Sequence, residues 1–291
     1  MATPPVYARM APYSSNKQLL AWDRLPDDEA VWPEIRRLRL MQRFDERPSF
    51  PTSIYHLKGL QEIDLPIDFA ENLHPEEWTN QIAKIDFDER EGGCATIPAT
   101  LTFRRCEALS CCSSELLFDA TSFPNLKSLQ FKWSKRKHER QEFQIESLEE
   151  LHLVGIPNLD AIARSEWGRL RTLGLVNSQM TSLDGISGTS NTLKLRFKNL
   201  SKVDSLEPLG GLKSLRHLDI QYCSKIMDLA PVIHHPSIEQ VRLICSRIDF
   251  EPWRETIMNG RFQSFSATGP NYFYLSDGEW KWSKKRGKRS A

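Results

Sequence analysis

At 291 residues the chain can bury a large core, and its formal charge of +1 argues against a general polyanion binder, because no overall positive field would draw nucleic acid in. Hydrophobic residues make up 40%, an ordinary share for a soluble protein, and no run of 18 apolar residues occurs, so no membrane span is expected. Met1 to Ser15 has neither a charged n-region nor an apolar h-region, and the six cysteines show no C-x-x-C spacing; a chain without a secretory signal, in the reducing cytoplasm, is the expectation.

Residues 1–34, rich in Pro, Ser and Asp and carrying Trp22 and Trp32, read as a tail leading into an N-terminal cap. Ile35-x-x-Leu38-x-Leu40 is then a first apolar unit, followed by Leu60-x-x-Ile63-x-Leu65 and Ile82-x-x-Ile85-x-Phe87 at steps of 25 and 22 residues. Between 88 and 125 the phase slips. Pro98-x-x-Leu101-x-Phe103 comes only 16 residues after Ile85, and Leu126-x-x-Leu129-x-Phe131 comes 28 after that. The sum, 44, is two regular periods, so two turns are expected, with a tightened loop at Glu91-Gly92-Gly93 and an expanded one around Cys111 to Ser122. Cys106 falls on an apolar column, as Cys223 does later, where a free thiol behaves as a small apolar side chain. Lys132 to Arg140 is a charged loop for which a solvated role and a phosphate contact both fit; Glu139 and the single aromatic Trp133 weigh against the phosphate.

The most regular stretch spans 148–248. Leu148-x-x-Leu151-x-Leu153, Leu170-x-x-Leu173-x-Leu175, Thr192-x-x-Leu195-x-Phe197, Leu215-x-x-Leu218-x-Ile220 and Ile238-x-x-Val241-x-Leu243 repeat one pattern, and their central residues step by 22, 22, 23 and 23. Alternation within each unit places the two apolar residues on one face of a short strand and the residue between them on the other. The return segments Asp160 to Trp167 and Asp228 to His234 read as short helices or irregular turns, and Gly185 with Gly188 favours coil after Leu175. Beyond Ile248, Pro252 to Met258 reads as a short helix stopped by Asn259-Gly260, and Phe262-x-x-Phe265-x-Ala267 as a last, degraded strand. Tyr272 to Leu275 and Glu279 to Trp282, about Asp277-Gly278, read as a β-hairpin, so 249–283 is assigned as a C-terminal cap. Residues 284–291 form a basic tail for which solubility, nuclear import or contact with an acidic partner all fit.

A repeated L-x-x-L-x-L unit at this period resembles the leucine-rich-repeat family, specifically its short-repeat class of about 22 residues. The resemblance implies an α/β repeat fold: a leucine-rich-repeat solenoid (horseshoe) with a parallel concave β-sheet, an irregular or short-helical convex side and capped ends, with the repeats over 35–248. The family usually places Asn three residues after the last strand residue of the pattern; here Ile156, Ser178, Leu200, Cys223 and Ser246 stand there instead, leaving the turn geometry open.

No phosphate loop, dinucleotide-binding glycine motif, H-E-x-x-H or G-x-S-x-G is present, so no catalytic, cofactor or metal site is assigned. His152 and His217 both point outward, but three strands at about 4.8 Å each put them roughly 14 Å apart, too far to share a metal. The outward positions carry more. Glu62, Asp64, Asp86 and Asp88 make the open face acidic early, while Lys132, His152, Lys194, Arg196, Lys198, His217, Asp219, Gln221 and Arg242 make it mostly basic later. Thr102 is counted on the same face. Lys194, Arg196 and Lys198 crowd three like charges on one strand, which is unfavourable unless a partner meets them. These thirteen residues are the candidate protein-binding set. The resemblance implies non-enzymatic protein recognition on the concave face, while charge and composition argue against nucleic-acid and membrane contact; the oligomeric state stays open, with a monomer favoured. Three settings stay open: a cytoplasmic inhibitor of the immunity-protein kind, an adaptor or targeting subunit, and a secreted bacterial effector.

Overall fold

The structure, a computed structural model, describes residues 8–10, 18–21, 29–40, 50, 52–74, 77–88, 94–112, 115–134, 145–163, 167–245, 247–248, 251–268, 271–276 and 279–284. The chain divides into two compact units, 1–132 and 133–291.

In the first unit, strands β1 (Ala8–Met10) and β2 (Gln18–Ala21) pair antiparallel inside the segment read as tail and cap. From β2 onward the pairing is parallel, through β3 (Arg37–Leu40), β4 (Glu62–Pro66) and β5 (Lys84–Asp88), with Leu19, Leu38, Ile63 and Ile85 in one register row. The next strand in that row is not the expected one. Strand β5 pairs with β7 (Ala108–Cys111), where Leu109 sits beside Ile85, and β7 pairs with β9 (Ser128–Lys132) through Leu129. The repeat in this gap is therefore Cys106-x-x-Leu109-x-Cys111, at steps of 24 and 20, and its open-face residue is Ser110 rather than Thr102.

Leu101 and Phe103 are buried, as their apolar character requires, but they lie in a turn: the Phe103 amide donates to Ser122 O at 2.8 Å, and its ring stacks on Phe123 with centroids 5.0 Å apart. A 16-residue step is too short to carry a strand away and bring it back into register, so the cysteine-flanked unit takes the place. The return segments here are themselves extended, and β6 (Cys94–Thr96) pairs parallel with β8 (Glu115–Leu117). Cys111 accordingly lies in a strand, not in an expanded loop.

In the second unit, β10 (Glu150–Val154), β11 (Thr172–Val176), β12 (Lys194–Lys198), β13 (His217–Gln221), β14 (Gln240–Ile244) and β15 (Ser264–Thr268) pair parallel in strict succession. Leu151, Leu173, Leu195, Leu218, Val241 and Phe265 form one buried row, and Leu153, Leu175, Phe197, Ile220, Leu243 and Ala267 a second. Each Leu, Ile, Val or Phe of these rows contributes roughly 1.5–3 kcal/mol, a gain available only when a neighbouring repeat covers it. Strands β16 (Asn271–Ser276) and β17 (Glu279–Lys284) follow as an antiparallel hairpin joined to the edge of β15; their aromatic side chains and the 277–278 turn lie outside the described residues, as does the tail from 285.

The turns explain how the pattern dispenses with the usual asparagine. The residue just after each of β10 to β14 adopts a left-handed conformation: Gly155 (φ 77°), Asn177 (49°), Asn199 (56°), Tyr222 (56°) and Cys245 (51°). Asn177, Asn199 and Tyr222 each donate their amide to the next repeat at 2.9 Å, as Gly155 does, so the backbone ladder continues around the corner. The Asn199 Nδ2 donates to Asn177 Oδ1 at 2.7 Å, and the Ser178 hydroxyl donates to Ile156 O.

On the return side, single helical turns stand at Asp160–Ala163, Ile186–Thr189, Glu207–Gly211 and Ala230–Ile233. The segment expected to be coil is thus a 3₁₀ turn, and Gly188 lets it sit close, since a Cβ there would come within 2.9 Å of Ala163 Cα. After β14, short helical turns over Glu251–Arg261 precede β15, with Gly260 (φ 83°) at their end. Arg261 reaches back from this segment and donates to three carbonyls of the preceding turn: Ile233 at 2.7 Å, Ile238 at 2.9 Å, and His235. Among the described residues no helix is long and apolar enough to cross a membrane.

Candidate functional site

Strand alternation sends the apolar residues inward and leaves three rows of side chains on the open face of each unit. In the first unit Glu62, Asp64, Asp86 and Asp88 all fall on β4 and β5, with Asp64 beside Asp86 and Glu62 beside Lys84 in register. The acidic reading is tempered by Arg37, which the sequence survey passed over. Its Nη2 lies 3.1 Å from Asp64 Oδ2 and its Nε 3.7 Å from Glu62 Oε2. Asp64 is only 7% exposed, so its charge is held by this bridge and is little available to a ligand. The signal was legible: Arg37 precedes Leu38 as Glu62 precedes Ile63, which puts them on one row. The side chain of Asp88 lies outside the described residues, and Lys132 closes β9.

In the second unit the middle row runs His152, Gly174, Arg196, Asp219, Arg242, Ser266. The flanking rows are Glu150, Thr172, Lys194, His217, Gln240, Ser264 and Val154, Val176, Lys198, Gln221, Ile244, Thr268. Most polar groups here find partners. His152 Nε2 lies 2.7 Å from Glu150 Oε1, and the imidazole occupies the space a side chain on Gly174 would need. His217 Nδ1 lies 2.9 Å from Gln240 Oε1. Gln221 Nε2 donates to both oxygens of Asp219 at 3.0 and 3.1 Å, and Arg242 Nη1 stands 3.6 Å from the same carboxylate.

Strand β12 differs. Among the described residues Lys194, Arg196 and Lys198 have no ion pair or side-chain hydrogen bond, and Arg196 and Lys198 are exposed. On one side they border Thr172, Gly174 and Val176, which carry no charge. On the other, the β13 side chains turn toward β14 or toward each other. Of the predicted basic residues only Lys194, Arg196 and Lys198 share a strand; His217, Asp219 and Gln221 lie on the adjacent β13, His152 and Arg242 one strand further out on either side, and Lys132 in the first unit. Tyr222 was missed by the sequence survey; it is 49% exposed at the end of β13, next to Gln221.

Away from this face, His234, His235, Cys106 and Cys223 pack within the repeats. His234 packs edge-on against Trp253 with centroids 5.4 Å apart, whereas His235 is buried with Nε2 3.1 Å from Leu209 O, so the adjacent pair diverges. Burial, with Lys213, Arg261 and Arg216 nearby, lowers the His235 pKa below the ordinary imidazole value and keeps the ring neutral. Burial likewise pushes the Cys106 thiol up to about 12 and raises that of Cys223, so neither supplies a thiolate.

No family model and no curated protein matches this sequence. Solved structures do match. An internalin of Listeria monocytogenes aligns at 14% identity with a TM-score of 0.51, over 79% of this chain and 74% of that one. A second, internalin C2 of the same species, aligns at 14% identity over 79% of this chain and 80% of that one, with a TM-score of 0.35. Internalins are leucine-rich-repeat proteins, and at this identity the likeness bears on fold alone. The strict parallel register, the two buried rows and this likeness together establish that the chain has the leucine-rich-repeat fold.

Proposed function

We propose that the protein recognises another protein through the open face of its second unit, the side that is concave in a leucine-rich-repeat solenoid, without catalysing a reaction. The observation that carries this reading is the row Lys194, Arg196, Lys198, three cations on one strand with no partner among the described residues. Elsewhere on the open face of this unit polar groups are paired, as Arg242 is with Asp219 and His152 with Glu150. A row left unpaired within so well-paired a surface is suited to an external anion, and paired residues around it fix its position. Within this reading the protein acts as a cytoplasmic, monomeric inhibitor that occludes its partner's surface, in the manner of an immunity protein.

Affinity capture with the wild-type chain beside the triple variant K194E/R196E/K198E tests it. The expected result is a protein retained by the wild type and lost by the variant, which then re-forms a complex of fixed stoichiometry from purified components. Equal retention of the same protein by both chains removes the β12 row from recognition. For the inhibitor role, the captured partner's own activity must fall when the wild-type chain is added.

A further inference from the structure

We propose that the ligand of the β12 row is an extended acidic segment of a protein, with carboxylates on alternate residues. This rests on the reading of the open face given above and specifies what that face accepts. Side chains two apart on a strand are separated by about 6.6 Å, twice the rise per residue. Lys194, Arg196 and Lys198 therefore present cations at the spacing with which an extended chain presents every second side chain to one side. Three carboxylates in an x-Glu-x-Glu-x-Glu arrangement can meet all three cations at once. Three contiguous carboxylates in an extended segment cannot, because the middle one points away.

The surroundings favour this occupant. Both edges of β12 are already hydrogen-bonded, to β11 and to β13, so a ligand cannot join as an added strand and must be read through side chains. Along the β11 side the row Thr172, Gly174, Val176 is short and uncharged, with the His152 ring laid over Gly174. That leaves beside the cations an uncharged strip, covered at its centre by the His152 ring, on which a backbone can rest. Within the second unit the carboxylates nearest in register cannot compete: Glu150 lies against His152, and Asp219 is held by Gln221 and Arg242. Phosphates of a single-stranded nucleic acid would fit the charge, but the open-face positions of β11 and β13 carry no Phe, Tyr or Trp, and exposed Tyr222 just past β13 is a single ring where successive bases need a series of stacking platforms.

The test is fluorescence anisotropy at low ionic strength with the full chain and two labelled peptides of identical composition, one alternating glutamate with threonine and one carrying its glutamates side by side. The alternating peptide is expected to bind about fivefold more tightly, the increment of one or two additional exposed ion pairs. The variant K194E/R196E/K198E is expected to lose both the binding and the preference. A control with the same change in charge at exposed sites outside the strands, R169E/K202E/K225E, keeps both. Thermal melts establish that the two variants are folded; if the first melts early, Arg196→Gln alone, expected to weaken the alternating peptide about threefold, decides. Equal affinity for the two peptides, or no binding of either, overturns the proposal. So does a thymidine decamer that binds more tightly than the alternating peptide. If such a result accompanies a captured protein partner that the triple variant loses, the face binds a protein but reads it in another way; if no partner is lost either, the broader reading fails too.

Discussion

The imidazole of His152 lies over Gly174 of the next strand, in the space that any side chain at that position would claim, while its Nε2 sits 2.7 Å from Glu150 Oε1. The glycine is thus required by a neighbour across the sheet, since its own backbone conformation is ordinary. Gly174→Ala should push the ring aside, separate it from Glu150 and destabilise the second unit by about 1–2 kcal/mol, as overpacking does. Urea denaturation measures it. The double variant Gly174→Ala, His152→Ala should recover most of the loss, because the three atoms nearest the added methyl all belong to the His152 ring; additive losses would mean that the alanine meets something else.

Arg37 and Asp64 give a second expectation. With Asp64 side-chain exposure at 10% and Arg37 at 30%, the pair is largely shielded from water. Arg37→Met leaves a buried carboxylate without its cation and should cost about 2–3 kcal/mol. Changing both residues to apolar ones of similar size should cost much less. Denaturation midpoints of the single and double variants decide; equal losses would show that the bridge is incidental.

Tyr222 holds a left-handed backbone conformation, φ 56°, that an aromatic residue adopts only with strain, and the residue is 49% exposed. Asn occupies the equivalent position in the two preceding repeats without that penalty. Tyr222→Asn should therefore raise stability by about 1 kcal/mol. A variant no more stable than the parent would show that packing of the ring offsets the strain.

His235 should make stability depend on pH. Leu209 O can only accept, so Nε2 carries the proton, and Nδ1 accepts from the Ser237 amide at 3.3 Å. A second proton would fall on Nδ1 and face that amide, with Lys213, Arg216 and Arg261 also nearby. Because the folded-state pKa is lowered, the neutral ring favours the folded form. Stability is complete above the ordinary imidazole value of about 6.5 and declines as pH falls from there toward the folded-state value. Melting temperatures between pH 7.5 and pH 5 should fall less steeply for His235→Gln than for the parent; parallel curves would rule His235 out as a cause.

The stack was legible from residues such as Leu151, Leu173 and Leu195 because alternation and period carry the same information twice, once along a strand and once between strands. Where cysteine replaced leucine, at Cys106 and Cys111, the pattern lost contrast, and the similar spacing of Leu101 and Phe103 took its place. Both pairs are buried, so burial alone could not tell a strand from a turn; only the register with Ile85 could. The basic row on β12 was readable for the same reason, since outward positions follow from inward ones. Its lack of partners was not, because it depends on where the Asp219, Gln221 and His217 side chains lean. The bridge at Asp64 was likewise hidden: a list of outward residues gives the sign of a surface without saying which charges cancel.

Arg261 clasps the last parallel repeat of the second unit to the one before it. Its guanidinium fastens the carbonyls of Ile233, His235 and Ile238, so the final turn cannot peel away without baring three acceptors at once. Fraying of the hairpin should therefore stop at β15, and a truncation that keeps residue 261 and the strand after it should retain a cooperative transition, whereas one ending before it should lose the repeat it clasps.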